Sequence, residues 1–287
     1  MIESALQEFL ASLETERGRS PNTLLAYRAD LRQFLQVLAE SANRAAGVAD
    51  LTAEGLLEYV HWLQSQGYRP ATVSRKVAAV RSFLEHVRRN HGGVSSAALE
   101  GLKSPPTPRR RPRVLSRAEV LALIKAPERV STPRGMRDAA ILAVLYSTGL
   151  RASDVVELTV EDVNREWADI QCPWDASRRL SLGSAAEPVL KYLDQARAHL
   201  ARDNEERAMF LNQRGEKLSR QGLWLVVKRW AREVGLGDDL SPHSLRHTLA
   251  HDLLVEGKSR REVQHRLGLR SPSAVRVSRE GREREES

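Results

Sequence analysis

Ser241-Pro242-His243-Ser244-Leu245-Arg246-His247-Thr248-Leu249-Ala250 is the stretch that decides the fold. Serine followed by proline reads as an N-cap with proline at the first helical position, so a helix opens here and continues to about Gly257. Within it His243, Arg246 and His247 stand at i, i+3 and i+4, which places them on one face near the helix N-terminus. A guanidinium fork, imidazoles and the positive end of a helix dipole suit an anion, phosphate above all. A zinc reading of the two histidines fails, because the glutamate of H-E-x-x-H is missing and Arg246 on the same face would repel a dication.

Working outward, Ser259-Arg-Arg-Glu262 is a capping box that opens a short helix through Val263-Gln-His-Arg-Leu-Gly268. Upstream, Ser147-Thr-Gly-Leu-Arg-Ala-Ser-Asp-Val-Val-Glu-Leu158 puts Arg151 just past a helix around 134–147 that Gly149 terminates. Between them, 167–173 (Ala168, Ile170, Cys172) and 178–182 (Leu180, Leu182) alternate like the strands of a hairpin, and helices follow at about 186–201 and 219–234. A second capping box, Ser116 to Glu119, opens this half of the chain. Before it lies KSPPTPRRRPR at 103–113, where four prolines hold the chain extended and five cations suit a phosphate backbone, so 101–113 reads as a basic linker.

Residues 1–100 read as helices throughout. Leu6, Phe9, Leu10 and Leu13 mark the first, and Leu24, Tyr27, Leu31, Phe34, Leu35 and Leu38 mark the second, opened by Ser20-Pro21. Leu56, Leu57, Val60 and Leu63 mark the third, over 53–66. Val73, Val77, Val80, Phe83, Leu84 and Val87 form the core face of a fourth, over 71–90. The other face of that fourth helix carries Arg69, Arg75, Lys76, Arg81, Arg88 and Arg89. The expectation is a small bundle with one basic flank.

The 287 residues allow two domains, and a 41% apolar content allows each a core. A formal charge of +8 suits a polyanion. Cys172 is the sole cysteine, which excludes an internal disulfide and any CxxC site. No apolar run approaches the ~20 residues of a membrane span and the N-terminus lacks a basic leader, so a cytoplasmic protein is expected. His61, His86, His91, His199, His251 and His265 show no partner pattern, and no metal motif is present.

Together these segments resemble the tyrosine recombinase (phage integrase) family, in its Xer-type branch. T-G-L-R-x-S-D matches around Arg151, H-x-L-R-H-T matches from His243, and V-Q-x-x-L-G matches at 263–268. P-N-T-L-x-A-Y-x-x-D-L at 21–31 is similar to that family's core-binding domain. The resemblance implies a mainly α fold of two domains, a helical SAM-like core-binding domain (1–100) and a mixed α/β catalytic-type domain with a small hairpin (114–278), clamping double-stranded DNA. It implies that Arg151 and Arg246 hold the nonbridging oxygens of one phosphodiester, that His243 assists proton transfer or holds the phosphate, and that no metal or cofactor is needed. His247 would be a structural contact. Arg75, Lys76, Arg81, Arg109, Arg110 and Arg111 are the expected backbone contacts, and a homologous recombinase subunit is the expected protein partner.

Three family positions depart. The second histidine falls on Leu269, the attacking tyrosine falls on Ser278, and the chain has no tyrosine after Tyr192. The hairpin lysine is also missing, leaving Arg178 and Arg179 as the nearby cations. Arginine supplies the charge but is a poor general acid. A serine hydroxyl is far less acidic than a phenol and has no adjacent base here. The tail 279–287 is charge and glycine, expected to be disordered. Three readings stay open: a DNA-binding pseudoenzyme or regulator, an active recombinase with an unusual or trans-donated nucleophile, and a decayed remnant.

Overall fold

The computed structural model describes residues 2–15, 21–102, 113–172, 175–203 and 205–269. Arg109, Arg110, Arg111, Ser278 and the charged tail therefore lie outside the described residues. The chain divides into two compact units, Met1–Arg109 and Arg110–Ser287. No described helix is long and apolar enough to cross a membrane.

The first unit is helical: α1 (Ile2–Thr15), α2 (Pro21–Ala42), α3 (Ala53–Ser65), α4 (Pro70–Asn90) and a short α5 (Ser96–Gly101). Its core is the set of stripes read from periodicity, with Leu6, Leu13, Leu31, Phe34, Leu63, Val80 and Phe83 buried. Phe9 meets Phe83 at 5.7 Å and Phe34 meets Tyr59 edge-on at 4.9 Å, geometries that favour edge contacts between ring quadrupoles. Two details differ from expectation. Leu57 is 45% exposed, because Leu56 turns inward in its place. The unforeseen α5 is capped by Ser95, whose hydroxyl accepts from the Ala98 amide at 3.1 Å, and it buries Ala98 and Leu99.

The second unit contains α6 (Arg117–Lys125), α7 (Pro133–Thr148), α8 (Ala152–Glu157), β1 (Val163–Asn164), β2 (Asp169–Cys172), β3 (Asp175–Ser181), α9 (Ala186–Gln195), α10 (Arg197–Leu200), α11 (Arg220–Glu233), α12 (Pro242–Val255) and α13 (Arg260–Leu267). Both capping boxes form: the Ser116 amide donates to Glu119 at 2.8 Å and the Ser259 amide to Glu262 at 2.7 Å. The α7 helix is the interior strut, buried continuously from Arg137 to Leu145. Its charged pair Arg137–Asp138 is satisfied at 2.7 Å, and the Trp230 indole donates to Asp138 at 2.9 Å, so the burial leaves neither charge alone.

The three strands form an antiparallel sheet in the order β1-β2-β3, with Ile170 opposite Leu180 and Gln171 opposite Arg179. The register shifts between Gln171 and Cys172. Ala168, expected in a strand, instead has φ 48° and turns the chain into β2. The two-residue β1 is too short to leave a periodic signal.

Candidate active site

The site is built where α7, α12 and α13 meet. Gly149 ends α7 at φ 62°, the left-handed conformation that glycine adopts without penalty. A side chain there would also collide with Leu267 at 2.4 Å and Leu249 at 2.8 Å, so glycine serves both turn and close approach. That turn delivers Arg151 to the start of α8, where its amide donates to Asp154 at 3.1 Å while its guanidinium stays about half exposed. The α12 N-terminus is fixed by Ser241, which caps Ser244 at 3.4 Å, and by Pro242 in the first turn.

From this frame Arg246 is buried and donates to the carbonyl oxygens of Gly149 and Leu267. It thus ties the end of α7 to the end of α13 while its charge lies beside Arg151. His243 is exposed one turn earlier, its ring 4.6 Å edge-on from His247. Partial burial, then the charges of Arg246 and Arg151, hold the His243 imidazole below its ordinary value. Burial and then Arg151 and Arg178 pull Arg246 down to about 10, while Asp154 opposes them. Arg246 stays cationic at neutral pH, but the direction is informative: three guanidinium groups and an imidazole act on one another, and a bound anion would relieve all of them. The sequence motifs named Arg151, His243 and Arg246, and the fold brings the three together.

Arg178 joins them from β3. Its guanidinium donates to the Arg266 carbonyl at 2.6 Å and packs over Gly268, where a Cβ would meet it at 2.4 Å. Arg266 in turn donates to the carbonyls of Ser147 at 3.3 Å and Ser181 at 3.4 Å. The buried Nε atoms of Arg178 and Arg266 have no hydrogen-bond partner among the described residues. The sequence marked Arg178 only as a nearby cation. Its role as a wall of the site depends on the hairpin folding against α13, which local spacing does not encode.

The position matching the family's second histidine is apolar in fact as well as in name. Leu269 packs against Leu249, Val263 and Leu267, and its backbone is held by Gln264, the amide donating at 3.0 Å and the carbonyl accepting at 3.1 Å. The two tyrosines of this unit point elsewhere. Tyr146 donates to Asp252 at 2.7 Å, and burial with that carboxylate pushes its phenol up. Tyr192 is buried, donates to the Met209 carbonyl at 2.9 Å and is pushed up to about 12 by burial. Both shifts run opposite to those of an activated phenol nucleophile.

In the first unit the expected basic flank is partly internal. Lys76 is buried on Asp30 at 2.9 Å and Gln33 at 2.7 Å, with its ammonium 5.2 Å from the Tyr68 ring. This corrects its assignment as a backbone contact, since the ammonium is buried and turned inward onto a carboxylate and an amide oxygen rather than lying on the exposed flank. Arg75 also pairs with Asp30 but is half exposed, and Arg81 donates to the Leu102 carbonyl.

Comparison with known proteins places these features in one family. Residues 113–279 match the Phage integrase family, and residues 6–91 match the Phage integrase, N-terminal SAM-like domain. The chain is 38% identical to the tyrosine recombinase XerC of Herpetosiphon aurantiacus, covering 96% of this chain and 90% of that protein. It is 34% identical to the tyrosine recombinase XerD of Oceanobacillus iheyensis, over 96% and 93%. The fold is similar to that of a lambda integrase dimer bound to a COC' core site (TM-score 0.67, 17% identity, 98% of this chain and 96% of that one). It is also similar to the Tn1549 transposon integrase in complex with a circular intermediate DNA (TM-score 0.70, 13% identity, 94% and 93%).

Proposed function

Because the chain belongs to the phage integrase family of tyrosine recombinases, we propose that it binds duplex DNA and grips one phosphodiester between Arg151, Arg246 and His243. The observation that carries this reading is the convergence of Arg151, Arg178, Arg246 and His243 at the α12 N-terminus, opposed by Asp154. Arg151, with its fork exposed, reaches a nonbridging oxygen directly. Arg246, held by two carbonyls, supplies charge and fixes the geometry. His243 binds the phosphate best when protonated. Further phosphate contacts come from Arg109, Arg110 and Arg111 of the basic linker, each releasing counterions, whereas Arg75 and Arg81 are engaged by Asp30 and the Leu102 carbonyl.

Strand cleavage is lost or impaired in this reading. The attacking position falls on Ser278, and the two tyrosines of the second unit are bonded to internal acceptors. Leu269 supports the same reading, because an alkyl group offers no proton to a phosphate oxygen. The protein acts in the cytoplasm as a site-occupying DNA-binding partner, with a homologous recombinase subunit the natural second component of its complex.

A nicked suicide substrate tests the catalytic half. Incubation of the chain alone should yield no covalent protein–DNA adduct, while the same DNA is retained in a gel shift. An adduct on Ser278 would show that the serine attacks. An adduct appearing only with a homologous recombinase added, and mapping to this chain's cleavage site, would support a trans-donated nucleophile.

A further inference from the structure

The fold also joins Glu8 to two histidines some eighty residues later, outside the phosphate site. Glu8 of α1, His86 of α4 and His91 at the C-cap of α4 offer one carboxylate oxygen and two imidazole nitrogens, all within 4.8 Å of one another. We propose that these three residues form a Zn²⁺ site that staples α1 to the C-terminal end of α4. The His91 Nε2 and Glu8 Oε2 atoms are already 2.9 Å apart. In a tetrahedral zinc shell with bonds of ~2.0–2.2 Å, ligand atoms sit about 3.4 Å apart, so the set closes with small rotamer changes.

The neighbours orient the ligands as an outer shell does. Ser4 donates to the other oxygen of Glu8 at 3.0 Å, and the Phe9 ring lies 5.3 Å from that of His86. The Asn90 amide, 3.2 Å from the His86 ring nitrogens, is the contact that a metal displaces. Two imidazoles with one carboxylate select a borderline cation over Mg²⁺ or Ca²⁺, which prefer all-oxygen shells. Partial exposure of His91 and Glu8 leaves an entry path and a fourth position for water. The His243–His247 pair is no rival, because Arg246 and Arg151 already oppose a positive charge there.

The test is a titration of the untagged full chain with zinc chloride, read by calorimetry and by NMR of the histidine imidazoles. The expected result is saturable binding of one zinc per chain, with shifts confined to His86 and His91. The first thermal transition should rise with zinc concentration and fall back on chelation. Glu8→Gln, which keeps the size and hydrogen bonding of the side chain, should weaken binding about tenfold or more, and His91→Asn should do the same. Absence of saturable binding would overturn the proposal. So would binding that survives in the double variant, or shifts at other histidines with those of 86 and 91 unmoved.

Discussion

Both units carry clustered positive charge but use it in opposite ways. On α4, Lys76 and Arg75 close on the buried Asp30, and Arg81 caps the carbonyl of Leu102. At the α12 N-terminus, burial with the charges of Arg151 and Arg178 lowers Arg246, and burial with the charges of Arg246 and Arg151 lowers His243. The first arrangement neutralises charge inside a domain and holds helices together. The second concentrates it where an anion would be stabilised. A basic stripe in a sequence is therefore not a measure of free charge; the position of the nearest carboxylate decides which kind it is.

The sharpest way to break this comparison is Asp30→Ala. Removing one partner of a buried pair leaves Lys76 charged and enclosed, which should destabilise the first unit by about 3–5 kcal/mol, measured by urea denaturation. A loss under about 1 kcal/mol would mean that the α4 cations are freer than their geometry indicates, and the contrast would dissolve.

Arg246→Ala comes next and should affect both stability and binding. Two backbone carbonyls lose a charged donor, at a cost of about 2–4 kcal/mol, and DNA affinity should fall as well. A loss of affinity with unchanged stability would show that the ties to Gly149 and Leu267 contribute little. Here the structure modifies the sequence reading, in which Arg246 served the phosphate alone.

The pH dependence of binding should be smaller. His243 lies below its ordinary value in the free protein, and a bound phosphate would raise it, so binding takes up a proton. DNA affinity should therefore rise roughly three- to tenfold between about pH 7.5 and pH 5.5, and His243→Gln should remove that part of the rise. For stability the sign is reversed: a histidine with a depressed folded pKa destabilises the DNA-free protein as pH falls below about 6.5. Parallel pH profiles for the two proteins would exclude His243 from the site.

Much of the site was legible because its signals are local. The Ser241-Pro242 cap, the spacing of residues 243, 246 and 247, and the glycine closing α7 each fix a backbone direction within a few residues. Arg178 was not legible to the same degree, because its approach depends on an irregular hairpin register and on packing against α13. The fate of Lys76 had a visible signal that charge counting passes over. Asp30 interrupts the apolar stripe of Tyr27, Leu31 and Phe34, and an acid on a core face calls for a cation. The proposed zinc site had only half a signal: His86 and His91 are neighbours at the end of α4, but Glu8 joins them only through the packing of α1 on α4. Leu57 failed because it borders the stripe of α3, where periodicity does not separate neighbours.

The most direct test of the phosphate grip is the salt dependence of duplex DNA binding for the native chain and for Arg151→Ala. Arg151 is about half exposed and makes weak internal contacts, at 3.5 Å to Gly268 and 3.9 Å to Asp154, so stability should change by less than ~0.5 kcal/mol. Affinity should fall at least ~10-fold, and the slope of log K against log salt should become shallower by about 0.9, the share of one neutralised phosphate. Two superimposable lines, equal in affinity and slope, would contradict the account.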